Sequence, residues 1–121
     1  GITGQVEHGK KLGRTLGFPT LNVAWQEGKL VPPRGVYLSN IQVDKEWFHG
    51  ISNVGVKPTV SKEERVLIES FLFGYDGDAY GKEVTIELLS FRRPECVFES
   101  VAKLKSCIDR DIEYGKRFFG M

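Results

Sequence analysis

The sequence predicts a mainly β fold: about six antiparallel strands, closed or nearly closed into a barrel, followed by one amphipathic helix. Two observations carry this expectation. Strand-like segments separated by glycine and proline fill the first three quarters of the chain, and their short connections favour antiparallel pairing, because parallel pairs need long crossovers. After FRRPECVF the apolar spacing changes to that of a helix. Closure into a barrel removes the exposed edges that a small open sheet would leave.

Taken in order, ITGQVEH reads as the first strand, followed by a glycine-rich loop to about Gly17. TLNVAW is the second strand and GVYLSNIQV the third. Asp44 and Lys45 separate GVYLSNIQV from EWFHGISNVG, the pattern of a hairpin. KPTVSKEER, with Pro58, reads as a polar loop before VLIESFLFGY. YDGDAYG then turns the chain into KEVTIELLSF, and RRPECVF joins that last strand to the helix. From an N-cap at Ser100, the residues Val101, Leu104, Ile108 and Ile112 recur at helical spacing over about four turns. No internal repeat or low-complexity segment interrupts this order.

The 121 residues suit one domain, and 40% hydrophobic content with 12% aromatic residues suffices for a single core. The 17 Lys and Arg against 16 Asp and Glu give a net charge of +1, too small for nucleic-acid binding through phosphate neutralisation. Any anion site must be local. Cys96 and Cys107 fit no CxxC or multi-cysteine pattern and read as reduced thiols rather than a disulfide or zinc site. No apolar run reaches membrane-spanning length and no signal-peptide core is visible, so the expectation is a cytoplasmic protein without membrane contact. A first residue Gly1 suggests a domain of something longer.

Gly4, Gly9, Gly13 and Gly17 recur across the first loop, with Lys10, Lys11 and Arg14 between them. Such a loop can turn backbone N–H groups towards an anion, or it can be a basic hairpin loop with no ligand. GQVEHGK matches the start of a P-loop, but Lys11 stands where Ser or Thr is required, and Gly13, Gly17 and Pro19 forbid the helix that must follow. Thr20 and Asn22 alternate with Leu21 and Val23, so their neutral oxygens share one face. They suit a hard cation whose remaining ligands are phosphate or water; the alternative is a solvated strand face. Glu69 is the acid in the otherwise apolar VLIESFLFGY: either a candidate base, or a residue facing water on an edge strand. His8 and His49 have no metal-ligand spacing and read as surface or turn histidines.

The blocks GQVEHG, LGRTLGFPTLNV, GVY, NVGVKPT, IES, YGKEV, LLSFRRPE and LKSCIDRDI, in this order, resemble riboflavin kinase. The nearest likeness is to the kinase domain of the bacterial bifunctional riboflavin kinase and FAD synthetase, and it covers essentially the whole chain. The resemblance implies a six-stranded antiparallel Greek-key barrel with a C-terminal helix. It also implies transfer of the terminal phosphoryl of ATP to the 5′-hydroxyl of riboflavin, giving FMN and ADP, with magnesium bound alongside ATP. By resemblance Thr20 and Asn22 hold the magnesium and Glu69 takes the proton of the flavin hydroxyl. Gly9, Gly13, Arg14, Gly17, Pro19, Leu72, Gly74 and Tyr80 border the nucleotide, and Arg93, Cys96 and Phe98 line the flavin pocket. Phe71 stands where relatives often carry histidine, and Cys96 is unusual at its position. An FMN adenylyltransferase domain N-terminal to this one is expected in the parent protein. A flavin- or nucleotide-binding sensor without turnover is the alternative reading.

Overall fold

The computed structural model describes residues 2–7, 20–25, 30–58, 64–75, 79–95 and 99–121. Among them run strands β1 (Ile2–Glu7), β2 (Leu21–Ala24), β3 (Gly35–Val43), β4 (Glu46–Pro58), β5 (Glu64–Leu72) and β6 (Glu83–Pro94), then helix α1 (Val101–Phe118). The strands close into a barrel in the order β1-β2-β5-β4-β3-β6, with every neighbouring pair antiparallel. Strands β3, β4 and β5 follow one another as neighbours, and β6 returns to lie beside β3, which is the Greek-key arrangement. At the β3–β4 turn Asp44 and Lys45 have φ of 51° and 68°. A two-residue turn with both φ positive has the twist that paired strands require.

Alternation sorts each strand into an inner and an outer face. Tyr37, Ile41 and Val43 of β3, Val54 of β4, Ile68 and Leu72 of β5, and Val84 and Ile86 of β6 meet Ile2, Val6 and Val23 in the barrel interior. Three serines share that interior. Ser52 Oγ lies 2.7 Å from Ser39 Oγ and 2.7 Å from Ser70 Oγ, so hydroxyls from three adjacent strands satisfy one another.

Helix α1 lies outside the barrel. Ser100 caps it by accepting from the Lys103 N–H at 3.2 Å, while Lys116 and Arg117 occupy its last turn, where cations favour the helix dipole. Its 18 residues make five turns, one more than the apolar spacing alone indicates, because the C-terminal half docks through Phe119 and Gly115 rather than through a continued aliphatic stripe. Ile112 and Phe119 pack on Val36, Ile51 and Phe73. A Cβ at Gly115 would come within 2.9 Å of the Phe73 ring, so glycine sets the closeness of this contact.

Three strands run further than the hydropathy pattern. Lys57 pairs with Arg65 and Pro58 with Glu64, so both ends of KPTVSKEER belong to the ladder. Strand β6 continues through Arg92, Arg93 and Pro94. Ladder hydrogen bonds join backbones, and a strand can therefore extend through residues with no apolar alternation.

Candidate active site

The outer face of the barrel carries one continuous row of cross-strand partners. Asn22 of β2 stands opposite Glu69 of β5, and Glu69 opposite Asn53 of β4. Asn53 in turn faces Val36 of β3, and Val36 faces Arg93 of β6. Directly opposed residues of an antiparallel pair share a face, so register alone brings Asn22, Glu69 and Asn53 side by side. Thr20, one residue before β2, reaches the same spot: its hydroxyl donates to Glu69 Oε1 at 2.9 Å. The two neutral oxygens and the acid picked out in the sequence thus form one cluster. Asn22 is buried there, so the solvated-face alternative for it is set aside.

The donor set suits a hard cation. A hydroxyl has one proton and two lone pairs; with the Thr20 proton committed to Glu69, its lone pairs remain for another partner. Thr20 and Asn22 together supply neutral oxygens with a carboxylate directly behind them, which matches magnesium bound mainly through phosphate and water. Among the described residues no three His, Cys, Asp or Glu side chains gather as a metal cage.

The other sequence-selected residues divide between the two ends of the barrel. The end of β1, the start of β2, the end of β5 and the start of β6 lie together, because Glu7 pairs with Asn22, Leu21 with Ser70 and Gln5 with Glu83. Leu72, Gly74 and Tyr80 belong to this end. The Leu72 side chain points into the barrel core, so only its backbone is available to a ligand, whereas Gly74 and Tyr80 are exposed. Arg93 is at the far end of the row, three strands from Glu69. Gly9, Gly13, Arg14, Gly17, Pro19, Cys96 and Phe98 lie outside the described residues.

Arg93 is held rather than loose. Its Nη2 and Nε donate to Asp111 Oδ2 and Oδ1 at 2.7 and 3.0 Å, and Arg92 Nε donates to the same Oδ1 at 2.8 Å. A register shift between Val36 and Tyr37 breaks the strict alternation of β6 at this point, which lets consecutive arginines reach one carboxylate. Arg92 also lies 4.2 Å over the Tyr114 ring. The helix thereby fixes the guanidinium that the resemblance assigns to the flavin.

Sequence reasoning missed Asn53, Glu95 and Asp111. Asn53 Nδ2 donates to Glu95 Oε1 at 3.3 Å, beside Glu69 in the row. Asp111 was recognisable in principle, since positions 104, 108, 111 and 115 form one helical stripe and an acid on it must find a partner. His49, exposed as expected, bonds Asn40 Oδ1 at 2.7 Å and stacks on Phe119. It stays outside this cluster.

The Flavokinase family model, described as riboflavin kinase, matches residues 1–119. A bifunctional riboflavin kinase/FMN adenylyltransferase of Bacillus subtilis is 38% identical over 120 residues, covering 98% of this chain and 38% of that protein. The RNA-binding riboflavin kinase RibR of the same organism is 40% identical over 119 residues, covering 97% of this chain and half of RibR. A crystal structure described as a macrolide-efflux protein from Streptococcus pneumoniae superposes with a TM-score of 0.81 at 29% identity, over 90% of this chain and 36% of that one. This chain therefore spans half or less of the length of each, and no helix among its described residues is long and apolar enough to cross a membrane. On the extent of the family match, the chain belongs to the riboflavin kinase family.

Proposed function

We propose that this chain transfers the terminal phosphoryl of ATP to the 5′-hydroxyl of riboflavin, giving FMN and ADP in the presence of magnesium. The observation that carries the reading is the Thr20–Glu69 hydrogen bond, with Asn22 directly opposite Glu69. It joins neutral oxygens suited to a cation to a carboxylate on the outer face of the barrel, and in-line phosphoryl transfer to an alcohol needs both within reach of one another.

The residues divide the work. Thr20 and Asn22 would hold magnesium, which when bound supplies charge neutralisation to the nucleotide phosphates. Glu69 spends one carboxylate oxygen on Thr20 and keeps the other for the acceptor alcohol. The alcohol donates to that oxygen, which orients its lone pair at the terminal phosphorus. As the new O–P bond forms and the bond to the ADP oxygen breaks, the proton passes to Glu69. Backbone at Leu72 and Gly74 and the side chain of Tyr80 border the nucleotide at the near end of the barrel. Arg93, braced by Asp111, meets the flavin at the other.

The reading is tested by incubating the chain with riboflavin, ATP and magnesium and following FMN by chromatography. Wild-type turnover, with Glu69→Gln slowed by about 100-fold or more at unchanged nucleotide affinity, is the expected result. Ligand binding without FMN would instead establish the sensor alternative. An FMN adenylyltransferase in a longer parent polypeptide is a separate proposal, motivated by the bifunctional relatives and tested by FAD formation in the full-length protein.

A further inference from the structure

We propose that Asn53 and Glu95 determine acceptor specificity by binding the secondary hydroxyls of the substrate's side chain beside Glu69. The inference rests on the functional reading above and goes beyond it, because that reading concerns only the terminal alcohol and the two ends of the ligands. The outer-face row gives the location. Neighbouring strands are about 4.8 Å apart, so Glu69 and Arg93, three strands apart, are separated by roughly 14 Å of barrel wall. Two strands, β4 and β3, lie between, and Val36 of β3 is buried in the cluster beneath α1, so an acceptor with its reacting hydroxyl at Glu69 and its ring towards Arg93 has its hydroxyl-bearing middle over β4, where Asn53 is the first side chain it meets.

The chemistry there fits a neutral polyol. Asn53 offers two N–H donors and a carbonyl acceptor, while Glu95 offers only acceptors. Their mutual bond is 3.3 Å long and exposed, so a ligand hydroxyl can replace it at small cost. Secondary hydroxyls both donate and accept, and they match this pair. A phosphate would meet Glu69 on one side and Glu95 on the other and be repelled, which keeps the nucleotide on the Thr20 side.

Gly55 is the third part of the device. A Cβ at Gly55 would collide with the Glu95 carboxylate, and its next neighbours would be Glu95 Cδ at 3.3 Å and Asn53 Nδ2 at 3.4 Å. The bare backbone forms the shelf on which the carboxylate rests. Because the colliding atom is the free end of a side chain, Gly55→Ala displaces Glu95 without removing any polar group from the site.

The test compares riboflavin with a flavin bearing a 5-hydroxypentyl chain, which has the same ring and terminal alcohol but no secondary hydroxyls. Wild-type protein, Glu95→Gln and Gly55→Ala are assayed for kcat/KM on both acceptors and for the KM of ATP. The expected result is a wild-type preference for riboflavin that falls by roughly 10- to 100-fold in both variants, through loss on riboflavin and little loss on the analogue, with the KM of ATP unchanged. Equal losses on both acceptors, or an unaltered preference in the two variants, would overturn the proposal while leaving the kinase reading intact. Wild-type protein inactive on both acceptors would overturn the kinase reading itself, and this inference with it.

Discussion

Replacing Asp111 by asparagine is the sharpest probe of how the helix supports the site. The carboxylate is buried, with 3% of its side chain exposed, and it holds Arg92 at 2.8 Å and Arg93 at 2.7 Å; both arginine side chains are 21% exposed. Asparagine preserves the shape but turns one acceptor into a donor aimed at a guanidinium, leaving two cations side by side. Breaking a buried pair by changing one partner costs about 3–5 kcal/mol, and water reaching the partly exposed arginines lowers this to about 2–4 kcal/mol. Unfolding entropy of roughly 2.1 cal/mol/K per residue over 121 residues is about 0.25 kcal/mol/K, so the midpoint should fall by about 8–16 °C. Scanning calorimetry measures it. A double-mutant cycle with Arg93→Met should give a coupling of about 1–3 kcal/mol, changed little by salt because the carboxylate is buried. A midpoint shift below about 2 °C, or additive single effects, would refute the claim that this carboxylate ties the helix to β6.

Asn22→Ala should weaken nucleotide binding about tenfold with magnesium present and much less without it, as read by titration calorimetry; equal weakening in both conditions would count against a cation role. Gly115→Ala should destabilise by about 1–3 kcal/mol through overpacking against Phe73, checked by urea unfolding. Burial pushes the Tyr37 phenol above its ordinary value, so the folded state holds that proton more tightly than the unfolded chain. The Tyr37 contribution should be intact below about pH 10 and be lost as pH rises through the folded value, and Tyr37→Phe should flatten that alkaline decline in unfolding experiments.

Much of the barrel was legible because its interior obeys a period of two: Tyr37, Ile41 and Val43 alternate in the sequence as they do in space. The hairpin at Asp44 and Lys45 and the cap at Ser100 were equally local, and local chemistry fixes them. What escaped was whatever backbone pairing decides. The polar ends of β4 and β5 carry no hydrophobic pattern, yet Pro58 and Glu64 are partners. In the site, alternation was enough to put Thr20 and Asn22 on one face. Their meeting with Glu69 depends on the β2–β5 register, which the residues of neither segment announce. Asn53 was hidden for the same reason, since a single asparagine in a strand becomes informative only when its cross-strand neighbour is known.

That dependence explains why this fold suits this chemistry. In a simple meander β2 would lie between β1 and β3, and Asn22 would face a residue of β3. The Greek-key return of β6 to β3 leaves β5 free on its other side, and closing the barrel there sets β2 against it. The seam between β2 and β5 joins two stretches distant in the chain, and Thr20, Asn22 and Glu69 all lie on it. On the proposed reading, Thr20 and Asn22 take the phosphates on one side of Glu69 and Asn53 takes the acceptor on the other. Two substrates would then flank one carboxylate, which can aim the acceptor alcohol at the terminal phosphorus opposite the leaving oxygen. The buried serine chain lies on the inner face of β3, β4 and β5, directly behind this surface. With its hydroxyls already satisfied by one another, it stiffens the wall without competing for the ligands outside it.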